Sequence, residues 1–203
     1  PENGGVLDQV DLLEIIVERA VNEFIVTASD LENANTDNAG VYTLNVTGDT
    51  VSAVVYVQSN GITYDDLIIN SGDKNLTLIA ENQIGDGDNL TIVGDGKNYI
   101  ELGDGDDTIR VNGNGDNTIN VGTGADTVTT GSGEDQIIFF AGDLGAGDTV
   151  NAGDGNDTVV LSGDGNVVGD TGAFLNSVES LVLEGTSLTI DVAKLMMLAS
   201  VSG

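Results

Sequence analysis

The chain has 203 residues, of which 34 are acidic and five are basic, and it contains neither cysteine nor histidine. This composition excludes disulfide bonds, zinc sites built from Cys or His, thiol nucleophiles and histidine-based triads, and it leaves oxygen atoms as metal ligands. The negative charge argues against nucleic acid as a partner. No apolar run reaches the roughly 18 to 20 residues of a membrane span, so we predict no membrane insertion. The first residue is Pro1, and we expect a fragment or a processed form.

Residues 1–40 are predicted to form an N-terminal cap. Between Asp8 and Asn22 apolar residues recur at helical spacing, and Asp8 is a suitable N-cap, which predicts a helix over 8–22. A buried strand from Leu12 to Val17 is the alternative. Such a cap would cover the open strand edges at the end of a stacked β structure.

Residues 41–84 are predicted to form irregular β-strands, because short apolar stretches alternate there with turn signals such as Asn60-Gly61. The predicted strands are Val41 to Val46, Val51 to Val57, Leu67 to Ile69 and Leu76 to Ile79. They form either early coils of the structure that follows or a separate small β domain packed on its end.

Residues 85–170 carry an internal repeat with a period of nine, in which a glycine turn leads into a short strand. The consecutive units are GDGDNLTIV from Gly85, GDGKNYIEL from Gly94, GDGDDTIRV from Gly103, GNGDNTINV from Gly113, GTGADTVTT from Gly122 and GSGEDQIIF from Gly131. After a break at Phe139 to Leu144, a shortened unit begins at Gly145, a full unit at Gly153 and a degraded copy at Gly163.

This repeat resembles the nonapeptide of the RTX, or hemolysin-type calcium-binding, family. The resemblance implies an all-β, right-handed parallel β-solenoid (a β-roll or β-helix) with short helical or irregular caps at its ends. In that family two nonapeptides form one coil, and calcium lies between stacked turns. The family occurs in type I-secreted bacterial S-layer proteins, adhesins, toxins and hydrolases. We therefore expect a secreted, extracellular cell-surface location, in a Gram-negative-type bacterium.

The turns supply the residue types that calcium requires. Glycine allows tight turns and lets carbonyl oxygens approach an ion, while Asp and Asn supply hard oxygen ligands, so we expect several Ca²⁺ ions. The alternative is a metal-free solenoid whose Asp and Asn side chains cap their own turns. The predicted metal ligands are Asp86, Asp88, Asn89, Asp95, Asn98, Asp104, Asp106, Asp107, Asn114, Asp116, Asn117, Asp126, Asp135, Asp148, Asp154, Asp157 and Asp164.

Consecutive units are expected to alternate between the two edges of the solenoid. Asn89, Asp107 and Asp126 would then stack along one edge, and Asn98, Asn117 and Asp135 along the other. The first edge carries more negative charge, so we predict that it binds calcium better. Lys97, beside Asn98 on the second edge, could replace an ion there. Because acidic turns stacked closely repel each other, we expect a loose or unfolded repeat region without calcium.

The family's first glycine is absent from these units, and an apolar or polar side chain takes its place. Each replacement follows the inward apolar position by two residues, which predicts that it also points into the core and that the coil is wider than a minimal roll. The replacing residues are Val93, Leu102, Val121 and Thr130, with Leu161 and Ser162 at the corresponding place before Gly163.

Residues 171–203 are predicted to contain further strands and a capping tail. Val178 to Leu183 and Leu188 to Val192 have strand patterns, and Ala193 to Ser200 forms a short apolar helix or tail. RTX proteins carry an uncleaved C-terminal export signal, which this tail could resemble.

The resemblance favours a structural role, as a calcium-stiffened module of an S-layer protein, adhesin or extracellular matrix protein. Such a module would assemble with copies of itself, or bind another cell-surface protein or a polysaccharide. The alternative is the repeat module of a larger secreted toxin or hydrolase whose catalytic domain lies elsewhere. We expect no enzyme in this segment, since Arg110 is the only candidate within the repeats for a lyase-type basic residue. An ice-binding ladder of threonines is too irregular here, since Tyr99 and Gln136 interrupt it.

Overall fold

The computed structural model describes several segments of the chain, and these consist entirely of β-strands, turns and loops. None of its segments forms a helix suited to crossing a membrane. The described residues are 13–16, 23–27, 41–47, 52–58, 66–80, 89–140, 143–145, 147–163, 165–167, 173–185 and 188–190.

The strands are short, as expected when a turn follows every few residues. They are β1 (Leu13–Ile16), β2 (Glu23–Thr27), β3 (Val41–Thr47), β4 (Ser52–Gln58), β5 (Asp66–Gly72), β6 (Asn75–Ile79), β7 (Asn89–Gly94), β8 (Asn98–Glu101), β9 (Thr108–Asn112), β10 (Thr118–Asn120), β11 (Thr127–Thr129), β12 (Gln136–Phe140), β13 (Thr149–Asn151), β14 (Thr158–Ser162), β15 (Gly165–Val167), β16 (Phe174–Asn176), β17 (Ser180–Glu184) and β18 (Leu188–Ile190).

Two parallel sheets of eight strands face each other, and the chain alternates between them. The first sheet has the order β1-β3-β5-β7-β9-β11-β13-β16, and the second has β17-β14-β12-β10-β8-β6-β4-β2. Each coil therefore adds one strand to each sheet, which makes the protein a parallel β-solenoid, as the sequence predicted. Strands β15 and β18 form a separate parallel pair.

The core lies between the two sheets and consists of apolar columns in register from coil to coil. In the first sheet Ile109 pairs with Leu90 on one side and with Val128 on the other. In the second sheet Ile119 lies between Ile100 and Ile137 in the same way. All six side chains are buried, and burying one such side chain contributes about 1.5–3 kcal/mol. The period-two alternation of the repeat thus sets the register of every coil.

Strands β3 to β6 extend the same two sheets toward the N-terminus. β5 pairs with β7, and β6 pairs with β8, so the strands predicted before the repeat are coils of the same solenoid. A separate β domain packed on the solenoid end does not form from them.

The predicted helix over 8–22 is wrong for the residues that the structure describes within it. Leu13–Ile16 forms strand β1, which pairs in parallel with β3 and sets Leu13 beside Leu44 and Ile15 beside Val46. This matches the alternative, a strand from Leu12 to Val17. Ladder hydrogen bonds to the next coil, together with the β-branched Ile15 and Ile16, outweigh the helical spacing.

The prediction that the residues replacing the first glycine point into the core is confirmed for most of them. Leu102, Val121, Thr130 and Leu161 are buried, and Phe139 is fully buried in the same layer. The prediction is wrong for Val93, which is 41% exposed. The first unit is offset by one residue, since β7 sets Leu90 beside Ile109, and Leu90 and Ile92 therefore point inward.

The chain after the repeat adds β16 and β17 to the two large sheets, while β18 pairs with β15 apart from them. The predicted strands at Val178 to Leu183 and Leu188 to Val192 are observed as β17 and β18 with slightly different bounds. The predicted tail at Ala193 to Ser200 lies outside the described residues.

Candidate metal-binding turns

Two columns of polar side chains run along the solenoid, one at the entry to each sheet. Each member precedes an inward apolar residue by two positions, so it points inward at the rim of the core. The first column contains Asp107, Asp126 and Asp148. The second column contains Asn98, Asn117, Asp135, Asp157 and Glu179. The predicted alternation of consecutive units between two edges is therefore what the structure contains.

The first column is held by hydrogen bonds between coils. The main-chain N–H of Asp107 donates to Oδ1 of Asp126 at 3.0 Å, and the N–H of Asp126 donates to Oδ1 of Asp148 at 2.8 Å. Oδ2 of Asp148 accepts a further bond from the N–H of Gly145 at 2.6 Å. The side chains of Asp126 and Asp148 thus each cap the turn of the coil before them, and all three aspartates are buried.

The second column follows the same rule with a different mixture of side chains. The N–H of Asn117 donates to Oδ1 of Asp135, the N–H of Asp135 to Oδ1 of Asp157, and the N–H of Asp157 to Oε2 of Glu179, each at 2.8 Å. At the start of the column, Nδ2 of Asn98 donates to Oδ1 of Asn117 at 2.7 Å. The column thus changes from amides to carboxylates along the chain.

A second layer of turn residues lies outside the columns and also links successive coils. On the first edge, Oδ1 of Asp104 accepts from the Thr123 hydroxyl at 2.7 Å, and Oδ1 of Asp106 accepts from the N–H of Ala125 at 2.8 Å. Asp154, near the end of the repeat, is exposed and forms a backbone bridge with Ser132. The carboxylates of Asp104 and Asp106 already accept hydrogen bonds, and all three aspartates are open to solvent.

On the second edge the outer layer contains the only ion pair between coils among the described residues. Nζ of Lys97 lies 2.5 Å from Oδ2 of Asp116 in the next coil, and the pair raises the pKa of Lys97 and lowers that of Asp116. The N–H of Glu134 donates to Oδ1 of Asp116, which is the largest cause of the lowered pKa. Asp95 accepts from the main chain and Nδ2 of Asn114.

Glycine is required in the turns because successive coils approach closely. Gly122 has a φ of 82°, and a Cβ there would lie 1.7 Å from the carbonyl oxygen of Gly103 in the coil before it. Gly153 has a φ of 84°, and its Cβ would lie 1.9 Å from the carbonyl oxygen of Gly131. Both the left-handed backbone and the contact exclude a side chain, so a carbonyl oxygen of one coil lies directly against the glycine of the next.

Three column aspartates carry a buried oxygen that no group donates to. Oδ2 of Asp126, of Asp135 and of Asp157 has no hydrogen-bond partner, while these residues are 0%, 2% and 0% exposed. Burial raises the pKa of Asp126 to about 7, with further contributions from the charges of Asp107, Asp148 and Asp143. Burial, with the charges of Asp135, Glu179 and Asp154, raises the pKa of Asp157 to about 6. A buried acceptor without a donor calls for a proton or a cation.

The structure sorts the predicted ligands into four groups. The columns contain Asn98, Asp107, Asn117, Asp126, Asp135, Asp148 and Asp157, and the outer turn positions contain Asp95, Asp104, Asp106, Asn114, Asp116 and Asp154. The predicted stacking of Asn89 on Asp107 is wrong, because β7 sets Asn89 beside Thr108, one residue out of phase with the first column, and Asn89 is exposed. Its role as a metal ligand stays a prediction. Asp86, Asp88 and Asp164 lie outside the described residues.

Two acidic residues belong to the turns although the repeat did not indicate them. Asp143 lies in the break, where its Oδ1 accepts from the N–H of Gly124, its Oδ2 is buried without a partner, and burial raises its pKa. Glu179 follows the last repeat and completes the second column. Glu179 precedes Leu181 by two residues, as Asp157 precedes Val159, so the alternation alone contains the signal.

Over the described residues, no three acidic side chains converge closely enough to hold a metal ion by themselves. Any ion in these turns would need main-chain oxygens as well. Comparisons of the chain with protein-family models, with curated proteins and with solved structures found no match. The functional argument therefore depends on the repeat and on the geometry of its turns.

Proposed function

We propose that this chain is a calcium-binding structural module of a secreted bacterial cell-surface protein, such as an S-layer protein, an adhesin or an extracellular matrix protein. The observation that carries the proposal is the set of buried, unpartnered Oδ2 atoms of Asp126, Asp135 and Asp157. They lie in the glycine turns whose nine-residue pattern resembles the RTX repeat.

The residues of the turns suit calcium better than other ions. Calcium takes six to eight oxygen ligands in flexible geometry and accepts main-chain carbonyls beside carboxylates. The column aspartates offer a carboxylate oxygen each, and the glycine turns that follow one another along the edges contain main-chain carbonyl oxygens, such as those of Gly103 and Gly131. Without Cys or His, the chain offers nothing that would favour zinc or copper. Each ion would supply positive charge between stacked acidic turns.

Bound calcium would act mainly on stability. The formal net charge of −29 must be held in a compact body, and a ligand that binds only the folded state stabilises it by mass action. Extracellular calcium modules bind with dissociation constants of about 0.1–1 mM, so such a module would be loose at low calcium and rigid outside the cell. A rigid rod of stacked coils suits a role in spacing or bridging surface proteins.

The proposal is tested by thermal unfolding of the purified chain, followed by circular dichroism, in chelator and in 5 mM Ca²⁺ or Mg²⁺. We expect calcium to raise the midpoint and sharpen the transition, and magnesium to have little effect. Isothermal titration calorimetry then counts the ions. An unchanged β spectrum and midpoint with and without calcium would contradict the proposal.

Electron microscopy after calcium addition separates the structural role from the alternative, the repeat module of a larger toxin or hydrolase. Lattices or filaments are expected for a module that assembles on a surface. A calcium-stabilised monomer at all concentrations would favour the alternative.

A further inference from the structure

The amide side chains in the second column donate where the carboxylates cannot. Nδ2 of Asn98 bonds to the carbonyl oxygen of Gly96 in its own turn at 3.1 Å and to Oδ1 of Asn117 in the next coil at 2.7 Å. Nδ2 of Asn117 repeats this pattern with the carbonyl of Gly115 at 2.7 Å and Oδ1 of Asp135 at 2.8 Å. One amide nitrogen thus joins an acceptor in its own coil to an acceptor in the following coil.

At Asp135 the same position of the repeat holds two oxygens. Its Oδ1 accepts from Asn117 as the asparagine Oδ1 accepts from Asn98, so Oδ2 takes the place that the amide nitrogen occupies in the earlier coils. Oδ2 has no donor, and the residue is 2% exposed. Asp157 in the second column and Asp126 in the first column share this arrangement. At these three positions acceptors meet where Asn117 has a donor. Oδ1 of Asn98, at the start of the column, also lacks a donor, but the amide nitrogen of Asn98 still joins its coil to the next.

The outer layer of the second edge also loses its positively charged group after the asparagine coils. Lys97 pairs with Asp116 across the two asparagine coils, which places an ammonium group between successive acidic turns. From Asp135 onwards the described part of the second edge contains no lysine or arginine. Both layers of the asparagine coils therefore carry their own positive or donating group, and the later coils carry neither.

We propose that Asn98 and Asn117, with Lys97, replace calcium in the early coils of the second edge, and that ions bind only at the carboxylate positions Asp126, Asp135 and Asp157. This inference rests on the proposed function and divides the solenoid. The coils of strands β8 and β10 are held by side-chain amides along the second edge and stay folded without metal. The coils of strands β12 and β14 require calcium.

Hydrogen exchange by mass spectrometry measures this division directly in the native chain. In chelator we expect slow exchange of main-chain N–H groups in β8 and β10 and fast exchange in β12 and β14. Calcium should slow exchange in β12 and β14 by at least tenfold and leave β8 and β10 nearly unchanged. Uniform exchange in chelator, followed by uniform protection with calcium, would overturn the division.

Matched substitutions test the chemical equivalence of amide and ion. Asp135→Asn restores an amide at the position, so we expect a higher unfolding midpoint in chelator, a smaller shift with calcium and one bound ion fewer by calorimetry. Asn117→Asp should do the converse, with a lower midpoint in chelator and a larger calcium shift. Glu101→Gln is the control, because this acid lies on the outer face of the second sheet, away from the turns.

The outcomes separate the two proposals. If the native chain binds calcium but Asp135→Asn binds the same number of ions with the same shift in midpoint, the replacement of calcium by amides is wrong and the proposed function stands. If the native chain binds no calcium, the proposed function fails, and the inference fails with it. If Asn117→Asp does not fold even with calcium, the comparison of Asp135→Asn with the native chain still decides.

Discussion

Replacing Asp126 by asparagine exchanges a buried carboxylate oxygen for an amide nitrogen at one place in the first column. Without metal, burial raises the folded-state pKa of Asp126 from 3.8 to about 7. Between these two pH values the folded protein binds the proton more tightly than the unfolded chain, so stability falls as the pH rises and stays low above pH 7. Asparagine carries no such proton and removes this dependence.

The expected magnitude follows from the size of that interval. At about 1.4 kcal/mol for each pKa unit, ionising Asp126 in the folded state at pH 8 costs on the order of 4 kcal/mol relative to the neutral side chain. In chelator, Asp126→Asn should therefore be more stable than the native chain by about this amount at pH 8. The difference should shrink steadily below pH 7 and disappear near pH 3.8.

Urea denaturation followed by circular dichroism, at half-unit steps from pH 4 to pH 8, measures the difference. Asp106→Asn is the matched control, because Asp106 also accepts a main-chain N–H from the next coil but is exposed. We expect the control to differ from the native chain by a small amount at every pH. A difference for Asp126→Asn that does not change with pH, or a variant less stable than the native chain at pH 8, would refute the reasoning.

Two further pairs of substitutions test the fold. Val121→Ala removes two methyl groups from a fully buried position and should lower the free energy of unfolding by about 2 kcal/mol, measured by urea denaturation. Val93→Ala, at an exposed position, should lower it by less than about 0.5 kcal/mol. Equal costs would contradict the register of the first unit. Gly122→Ala and Gly72→Ala both place a side chain at positive φ, but only at Gly122 would the Cβ meet a carbonyl oxygen of the preceding coil. Thermal unfolding should therefore show a clearly larger loss for Gly122→Ala, and similar losses would mean that the coils are not in close contact there.

The architecture was predictable because the repeat contains the two periodicities that define it. A nine-residue period places turns, and the alternation within each unit places Ile100, Ile119 and Ile137 in one inward column. The assignment of successive units to two edges followed from the resemblance to the RTX repeat, in which two nonapeptides form one coil. Near the N-terminus the prediction failed at Leu13–Ile16, because apolar spacing that fits a helix also fits a strand when a neighbouring strand supplies the hydrogen bonds.

The candidate site was predictable only where the period is unbroken. Asn89 was assigned to the ligand position by counting from Gly85, but the pairing of Leu90 with Ile109 shifts that unit by one residue and turns Asn89 outward. Asp143 and Glu179 fall outside the nine-residue count. Only the folded coils show Asp143 at a turn, whereas the spacing of Glu179 before Leu181 is already present in the sequence. The sequence also could not show that Oδ2 of three column aspartates lacks a donor. That depends on which of the two carboxylate oxygens accepts the hydrogen bond from the preceding coil.

The one-way hydrogen bonds of the columns give the rod two different ends. From Asn117 and Asp126 onwards each column side chain accepts from the coil before it, so a coil has its turn N–H capped only after the next coil is in place. Removing coils from the C-terminal side would uncover N–H donors, such as that of Asp135, whereas removal from the N-terminal side would uncover carboxylate acceptors. In a chain that emerges N-terminus first, the hydrogen bonds of the columns would therefore form coil by coil, because each new turn caps the N–H group of the turn before it. Glu179, whose longer side chain closes the second column, is the last of these closures in the described part of the chain.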